Sequence, residues 1–361
     1  MRLQPLRAPR PAAPQCSAAF IVFRHPGYFE SENILFALPP LDTATGGDDT
    51  DAIDSANKQD GAPACGVHHG TAIVAGQIIA GNSFETAYLS YDRSGAERVG
   101  VPLDGLLTRS EYYLQVPQDS GDAANGGENK PWAVTPSFQH WRFPHNRLPE
   151  PWASLASVGE SSSSSKPQDK EILPSSRCII TAAGPSTADS AHVIPKGSTS
   201  TAWFDQNGMR AYSRSNAAVT AVDSPGNKFR LRYDLHKDFH DRAFAIVPKP
   251  VPAGAASQSL AVHFLSLSGD LEDSATEFHN QLVHGTSVPP EYLFARFAYT
   301  VLGLVKNFVL QGARRRLTLV ESGKDDWTTK SYDMDCRQRN ELYGGWLAQF
   351  QAKEENPWCV F

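Results

Sequence analysis

The sequence predicts an α+β fold in which a strand-rich region, a mixed region and a helical region follow one another. Short β-branched or alternating apolar runs at Thr71–Ala80, Thr86–Ser90 and Tyr112–Val116 indicate strands in the first 150 residues. A strand–turn–strand–helix pattern lies within residues 177–250, and apolar residues recur at helical spacing after residue 268. At 361 residues the chain has room for two or three domains.

Changes in composition along the chain set the predicted domain boundaries. The Ser-rich stretch with its five-serine run is the clearest boundary, and an acidic, Gly-rich stretch at 42–61 is typical of a flexible insertion. The predicted organisation is a disordered Pro/Arg-rich leader at 1–15, a β-rich N-terminal domain at 16–150, a Ser-rich linker at 151–176, a mixed domain at 177–250 and a helical C-terminal region at 268–361.

The C-terminal region contains the strongest helical signal in the chain. Pro289-Pro290 predicts a helix start, because proline is tolerated in the first turn of a helix. The apolar residues that follow at helical spacing are predicted to form core rather than a ligand site; they are Leu293, Phe294, Phe297, Val301, Leu304, Val305 and Phe308.

Composition excludes several classes of protein. No window holds about 18 uninterrupted apolar residues, so we expect no membrane span. The five cysteines include no Cys-x-x-Cys pair, which favours reduced thiols and an intracellular setting, nucleus or cytoplasm. Cys178 is expected to be a small buried apolar residue. The pair His68-His69 is expected to be a loop feature, since no carboxylate or cysteine stands at metal-ligand spacing from it.

The charge distribution points to one region of interest. The net charge of the chain is -6, which argues against a nonspecific coat on nucleic acid. Residues 176–250 nevertheless hold ten Lys and Arg against six Asp. A basic island in an acidic protein is typical of a module that contacts phosphates, although a solvated basic face gives the same pattern.

Three polar residues in this island form an ordered set. His192 lies in Asp-Ser-Ala-His-Val-Ile-Pro, Asn227 follows a Pro-Gly turn, and eight residues separate His236 from Asn227. Ala188–Pro195 and Lys228–Arg232 are predicted strands, and the helix that follows starts near Asp234, which can cap it. This order predicts that His192 and His236 converge on one site although 44 positions separate them.

These residues suit the hydrolysis of a phosphodiester. The reaction needs an activated water, neutralised phosphate charge and help for the leaving oxygen, which one divalent metal and one imidazole can supply together. An imidazole accepts a proton near neutral pH because its ordinary pKa is about 6.5. An asparagine between two strands typically fixes the loop by bridging backbone groups.

The sequence around the three residues resembles that of the fungal HNH-domain proteins of the HNH endonuclease superfamily. The matching elements, in order, are Cys178-Ile-Ile-Thr181, Ala191-His192-Val-Ile-Pro195, Trp203-Phe204, Asn207-Gly-Met209, Asn227-Lys-Phe-Arg-Leu-Arg-Tyr-Asp-Leu-His236 and Ile246-Val-Pro-Lys249. The resemblance implies a ββα-metal module. It also implies that His192 is the general base, Asn227 the structuring residue and His236 a metal ligand, with a divalent ion such as Mg²⁺, Mn²⁺ or Zn²⁺.

The chain departs from the family pattern at the metal site. Many HNH enzymes place a metal-binding Asp or His directly before the base, where this chain has Ala191. One histidine with waters would hold Mg²⁺ poorly, because that ion prefers oxygen donors. Asp189 and Asp234 are therefore predicted to complete the ligand set, with Asp189 favoured because it shares a segment with His192. Three positions separate Asp189 from His192, so the two should lie on opposite faces of a strand.

The function predicted from the sequence is divalent-metal-dependent cleavage of nucleic acid, with DNA favoured over RNA. Two alternatives remain open at this point. One is a nucleic-acid-binding or regulatory protein that retains the scaffold without cutting, and the other is a structural interaction protein with a zinc-binding core. Protein partners are not indicated by the sequence.

Overall fold

The computed structural model describes residues 19–43, 64–117, 130–161, 176–213, 221–250, 259–267, 271–283, 286–312, 314–322 and 327–351. Helices and strands both occur throughout these residues, so the predicted α+β class is confirmed. The predicted leader at 1–15, most of the insertion at 42–61 and most of the five-serine run lie outside the described residues.

The N-terminal region is built on a four-stranded sheet of order β2-β1-β7-β5. Its central strand β1 runs antiparallel to β2 and parallel to β7, which itself pairs antiparallel with β5. A small sheet of order β3-β4-β6 lies beside it. The strands are β1 Ile21–Arg24, β2 Ile34–Leu38, β3 Asp42–Thr43, β4 Cys65–His68, β5 Tyr88–Ser90, β6 Leu106–Leu107 and β7 Glu111–Gln115.

The strand predicted at Thr71–Ala80 is wrong, because these residues belong to helix α1 (His69–Ile79). Every residue of α1 is buried, and a helix buried on all sides has the same continuous apolar run as a buried strand. His68 and His69 are not loop residues either. The ring Nδ1 of His68 accepts a hydrogen bond from the backbone N–H of Thr71 at 3.2 Å and so caps the helix.

A helix, α2 (Trp152–Ser161), begins the stretch that the sequence predicts to be a linker. The indole of Trp152 is buried and packs edge-on against Phe294 at a ring-centroid distance of 5.2 Å. The first part of residues 151–176 is therefore packed against the core, and residues 162–175 lie outside the described part of the chain.

The middle region contains β8 Ala188–His192, α3 Ser198–Gln206, β9 Lys228–Arg232, α4 Tyr233–His240 and β10 Phe244–Lys249. Strand β10 pairs antiparallel with β11 (Ser259–Phe264), outside the predicted domain boundary at residue 250. All six residues of β10 are buried.

The C-terminal region holds helices and one feature that the sequence did not predict. The helices are α5 Leu271–Phe278, α6 Pro290–Leu304, α7 Lys306–Leu310 and α8 Cys336–Gln351, and α6 begins at the predicted Pro289-Pro290 signal. Between α7 and α8 lies an antiparallel hairpin of two nine-residue strands, β12 Arg314–Ser322 and β13 Trp327–Asp335. The expectation of an entirely helical C-terminal region is corrected by this hairpin.

One hydrophobic core connects the three regions. Phe294 of α6 contacts the rings of Phe84, Trp141, Phe143 and Trp152, which come from the N-terminal half of the chain. The guanidinium of buried Arg296 lies over the ring of Phe239 in α4 at 3.7 Å and donates a hydrogen bond to the Phe239 carbonyl. Helix α6 therefore supports both the N-terminal sheet and the middle region.

The cysteines differ in part from the prediction. Cys65 forms a disulfide, so the expectation of reduced thiols is wrong at this residue. Cys178 is free and buried, as predicted, and Cys336 is free and exposed. Among the helices that the structure describes, none combines the length and the apolar character needed to cross a bilayer.

Candidate active site

Strands β8 and β9 and helix α4 form a ββα unit. The strands pair antiparallel from Ala188 opposite Arg232 to His192 opposite Lys228. Helix α4 follows β9 directly and packs through Phe239, whose ring lies 5.3 Å from that of Phe229. His192 lies at the end of β8, Asn227 directly before β9 and His236 in α4, as the sequence predicted for these segments.

The Asn227 side chain bonds the backbone just after β8 and the backbone of the segment that connects β8 to β9. Its Oδ1 accepts the backbone N–H of Ile194 at 2.8 Å, and its Nδ2 donates to the carbonyls of Ile194 at 2.9 Å and Val222 at 2.8 Å. The side chain is fully buried. These three bonds involve backbone alone, which fits a structuring residue and not one that contacts a substrate.

We expect Asn227→Ala to lower the melting temperature. Removing the amide leaves buried backbone groups without their partner, which destabilises the fold by about 1–3 kcal/mol. Asn207→Ala controls for the loss of a buried asparagine outside the ββα unit. Asn207 is also buried, and its side chain bonds the backbone of Phe143 and Trp203. Thermal denaturation of both variants measures the effect. An Asn227→Ala protein with unchanged melting temperature and no cleavage would mean that Asn227 acts on the chemistry directly.

His192 is held by a carboxylate that the sequence did not single out. Its Nε2 lies 2.9 Å from Oδ1 of Asp223. The same carboxylate contacts the ammonium group of Lys196 through Oδ2 at 2.7 Å and that of Lys228 through Oδ1 at 3.3 Å. Hydrogen bonds from Lys196, His192 and Lys228 hold the pKa of Asp223 well below its ordinary value. Asp223 is therefore an anion. A neutral His192 places its proton on Nε2 against this anion and keeps the lone pair on Nδ1.

His236 faces Asp189, one of the two carboxylates predicted as metal ligands. Its Nδ1 lies 3.7 Å from Oδ2 of Asp189, and both side chains are partly open to solvent. Burial lowers the pKa of His236, Asp189 opposes that effect, and the charges of His240 and His192 lower the pKa further. The imidazole is therefore neutral near neutral pH, which is the form that binds metals.

The strand register explains why Asp189 can lie beside His236. Asp189 and Ala191 are two positions apart and pair with Leu231 and Phe229, whose side chains are buried on the side of α4. Asp189 is thus on the same face as Ala191, where many HNH enzymes have their metal ligand, and on the opposite face from His192. Because three positions separate Asp189 from His192, the Asp189 side chain lies on the face of β8 that α4 covers, next to His236.

Asp234 has a different role from the one predicted. Helix α4 begins at Tyr233 with Arg232 as its N-cap residue, so Asp234 lies in the first turn and does not cap the helix. Its carboxylate accepts two hydrogen bonds from the Arg232 guanidinium, at 2.7 Å and 2.6 Å. The bond from Arg232 lowers the pKa of Asp234. This pairing occupies the oxygens that a metal would need.

The residues that sequence analysis missed lie between His192 and Asn227. Asp223 and Lys196 belong to the connection between these two residues but stand outside its motif elements, Trp203-Phe204 and Asn207-Gly-Met209. Asp223 stands in a short 3₁₀ turn, Ala221–Asp223, just before the one that ends at Asn227. Its only sequence signal is an acid close to the asparagine. That signal does not show which histidine it would contact.

A second cluster of candidate metal ligands lies away from the ββα unit. Among the described residues, Asp42, His263 and His279 have ligand atoms within 4.8 Å of one another, close enough to hold a metal ion. All three are almost completely buried. No local sequence pattern indicates this cluster, because 237 positions separate Asp42 from His279.

An ammonium group already neutralises the carboxylate of this cluster. Nζ of Lys249 lies 2.5 Å from Oδ1 of Asp42 and also donates to Oδ1 of Asn280. Nδ1 of His279 accepts the backbone N–H of Phe264, so its Nε2 carries the proton that it donates to Asp42 at 3.0 Å. A metal at that Nε2 would need the opposite tautomer. We therefore interpret the cluster as a buried ion pair in which Lys249 supplies the cation.

Comparison with known proteins agrees with the geometry of the ββα unit. The family model described as HNH endonuclease matches residues 178–247, the segment that contains β8, β9, α4 and most of β10. Neither the curated proteins nor the solved structures give a match.

Proposed function

Because residues 178–247 match the HNH endonuclease family model, we propose that the chain is a divalent-metal-dependent nuclease that hydrolyses phosphodiester bonds in nucleic acid, with DNA favoured over RNA. The observation that carries the proposal is that each of the two histidines of the ββα unit faces a carboxylate. His192 is oriented by Asp223, and His236 is oriented toward Asp189.

The residues present fit a divalent ion between Asp189 and His236. Two ligands about 2.1 Å from one ion lie roughly 3–3.5 Å apart, and Nδ1 of His236 is 3.7 Å from Oδ2 of Asp189. One carboxylate and one neutral imidazole suit Mn²⁺ and Zn²⁺, and the carboxylate suits Mg²⁺. Such an ion supplies charge neutralisation at the phosphate and at the leaving oxygen.

The remaining steps fall to side chains of this chain. Nδ1 of His192 accepts the proton of the attacking water, while Asp223 holds the ring through Nε2 and stabilises the imidazolium that forms. Lys196 and Lys228, which share Asp223, are close enough to the base to attract the phosphate. Asn227 keeps β8 and β9 in the register that holds these groups together.

A nicking assay on supercoiled plasmid tests the proposal. Purified full-length protein should convert the plasmid to open circles with Mg²⁺ or Mn²⁺ and stop when the metal is chelated. The alternative of a non-catalytic nucleic-acid-binding scaffold is favoured by one observation, the absence of a ligand at Ala191. Binding without metal-dependent nicking would support that alternative.

We expect Asp189→Asn to weaken metal binding and Asp234→Asn to leave it unchanged. Asp189 faces His236, whereas both oxygens of Asp234 are bonded to Arg232. Loss of even a supporting carboxylate at a metal site typically reduces affinity about 10–100-fold, so we expect at least roughly ten-fold for Asp189→Asn. Calorimetric titration with Mn²⁺ measures both variants. Unchanged affinity in both would contradict the ligand assignment and favour the non-catalytic scaffold.

A further inference from the structure

The face of α4 that carries His236 also carries an exposed aromatic ring. Tyr233 is 59% exposed and lies one turn before His236, so the two side chains emerge on the same face of the helix. Leu235 and Phe239 are buried, and Phe239 packs against Phe229 of β9. Tyr233 is more than half exposed, so its ring is open to a ligand next to a candidate metal ligand.

The position of Tyr233 places it at the candidate metal ligands. Side chains three residues apart on a helix have Cβ atoms about 5–6 Å apart, so the Tyr233 ring reaches the space next to His236. The backbone N–H of Tyr233 donates to the carbonyl of Thr187, two residues before Asp189. Tyr233, Asp189 and His236 therefore lie at one end of the ββα unit.

Basic side chains lie on β9 close to this ring. Lys228, Arg230 and Arg232 alternate with the buried residues Phe229 and Leu231, so they lie on the face of the strand opposite to α4, and Arg232 directly precedes Tyr233. Cations beside an exposed aromatic ring are a combination that contacts a sugar–phosphate backbone while a base stacks on the ring. A phosphate held at His236 would bring the base of an adjacent nucleotide within reach of Tyr233.

We propose that Tyr233 stacks on an unpaired nucleobase next to the scissile phosphate, so that the site prefers single-stranded nucleic acid to uninterrupted duplex. The proposal rests on the proposed function and deepens it. In a duplex both faces of each base are covered by its neighbours, and exposing one costs a few kcal/mol. In a single strand that cost is largely absent, and stacking on tyrosine adds to the phosphate contacts.

Binding without cleavage tests the stacking directly. A labelled oligothymidylate of about 12 nucleotides, its duplex with oligoadenylate, and a base-free deoxyribose-phosphate strand of equal length are titrated in the presence of chelator. The full-length chain should bind the oligothymidylate more tightly than the other two. Tyr233→Ala should weaken binding to the oligothymidylate about ten-fold and leave binding to the base-free strand unchanged, because only the stacking contact is lost.

Two variants serve as controls. Tyr233→Phe keeps the ring and should bind within about two-fold of the unmodified chain. Phe29→Ala removes another exposed aromatic ring, which is 78% exposed and lies between β1 and β2. It should not change binding to any of the three nucleic-acid ligands.

The outcomes separate this proposal from the nuclease activity. Equal losses on the oligothymidylate and the base-free strand, or no loss on either, would overturn the stacking role of Tyr233 even if the protein cuts plasmid. If the preference for the base-containing strand depends on Tyr233 but the protein never cuts plasmid, the stacking role is supported and the nuclease function is rejected. A chain that binds none of the three strands overturns both.

Discussion

His192→Ala should lower the rate of metal-dependent cleavage about 10²–10⁴-fold, because it removes the group that accepts the proton of the attacking water. The melting temperature and the Mn²⁺ affinity should change little, since the His192 side chain is partly exposed and contacts Asp223, not Asp189 or His236, through Nε2. Cleavage kinetics, thermal denaturation and calorimetry on one preparation measure these three quantities.

His236→Ala is the matched comparison for this variant. It should lose metal affinity, so that a large excess of Mn²⁺ restores part of the rate, whereas no metal concentration should rescue His192→Ala. Equal cleavage by both variants that does not depend on metal would identify a contaminating nuclease. Equal rescue of both by Mn²⁺ would contradict the assignment of His192 as the base.

Lys249→Met should destabilise the fold more than any other single change considered. The variant leaves the carboxylate of Asp42 buried without its cation, and breaking a buried pair by removing one partner costs about 3–5 kcal/mol. Lys330→Met is the control, because Lys330 pairs with Glu321 at 2.7 Å on the surface, where a pair contributes about 0–1 kcal/mol. Denaturant unfolding of both variants measures the difference.

The same variant tests the interpretation of the buried cluster. If Lys249 supplies the cation, Asp42→Asn added to Lys249→Met should recover part of the lost stability, because the uncompensated charge disappears. If Zn²⁺ instead restored the melting temperature of Lys249→Met, the cluster would be a metal site. A Lys249→Met protein no less stable than Lys330→Met would show that Asp42 is not held as a buried anion.

The sequence predicted the ββα unit well because its signals are local. Residues Lys228–Arg232 alternate between buried and half-buried positions, the Pro-Gly turn precedes them, and the helix follows without a gap. The core positions of α6 were also predictable, because an apolar run of that length at helical spacing excludes a strand. The start of α6 followed from its two prolines.

The features that escaped prediction depend on distant parts of the chain. Helix α1 is buried on every side, so its sequence lacks the amphipathic pattern that distinguishes a helix from a strand. Strand β13 is almost entirely exposed and polar, so it has no alternation of apolar residues, and its partner β12 determines its conformation. The contacts of Asp223 with His192 and of Asp42 with Lys249 span 31 and 207 positions, and no local pattern specifies them.

Strand β10 limits how far the segment matched by the HNH family model can be separated from the rest of the chain. The family match ends at residue 247, inside a strand whose six residues are all buried and whose partner β11 lies beyond the match. A fragment cut at that point would expose the apolar edge of β10 and would lack both Lys249 and Asp42. Transferring the ββα unit into another protein would therefore require the surrounding chain as well.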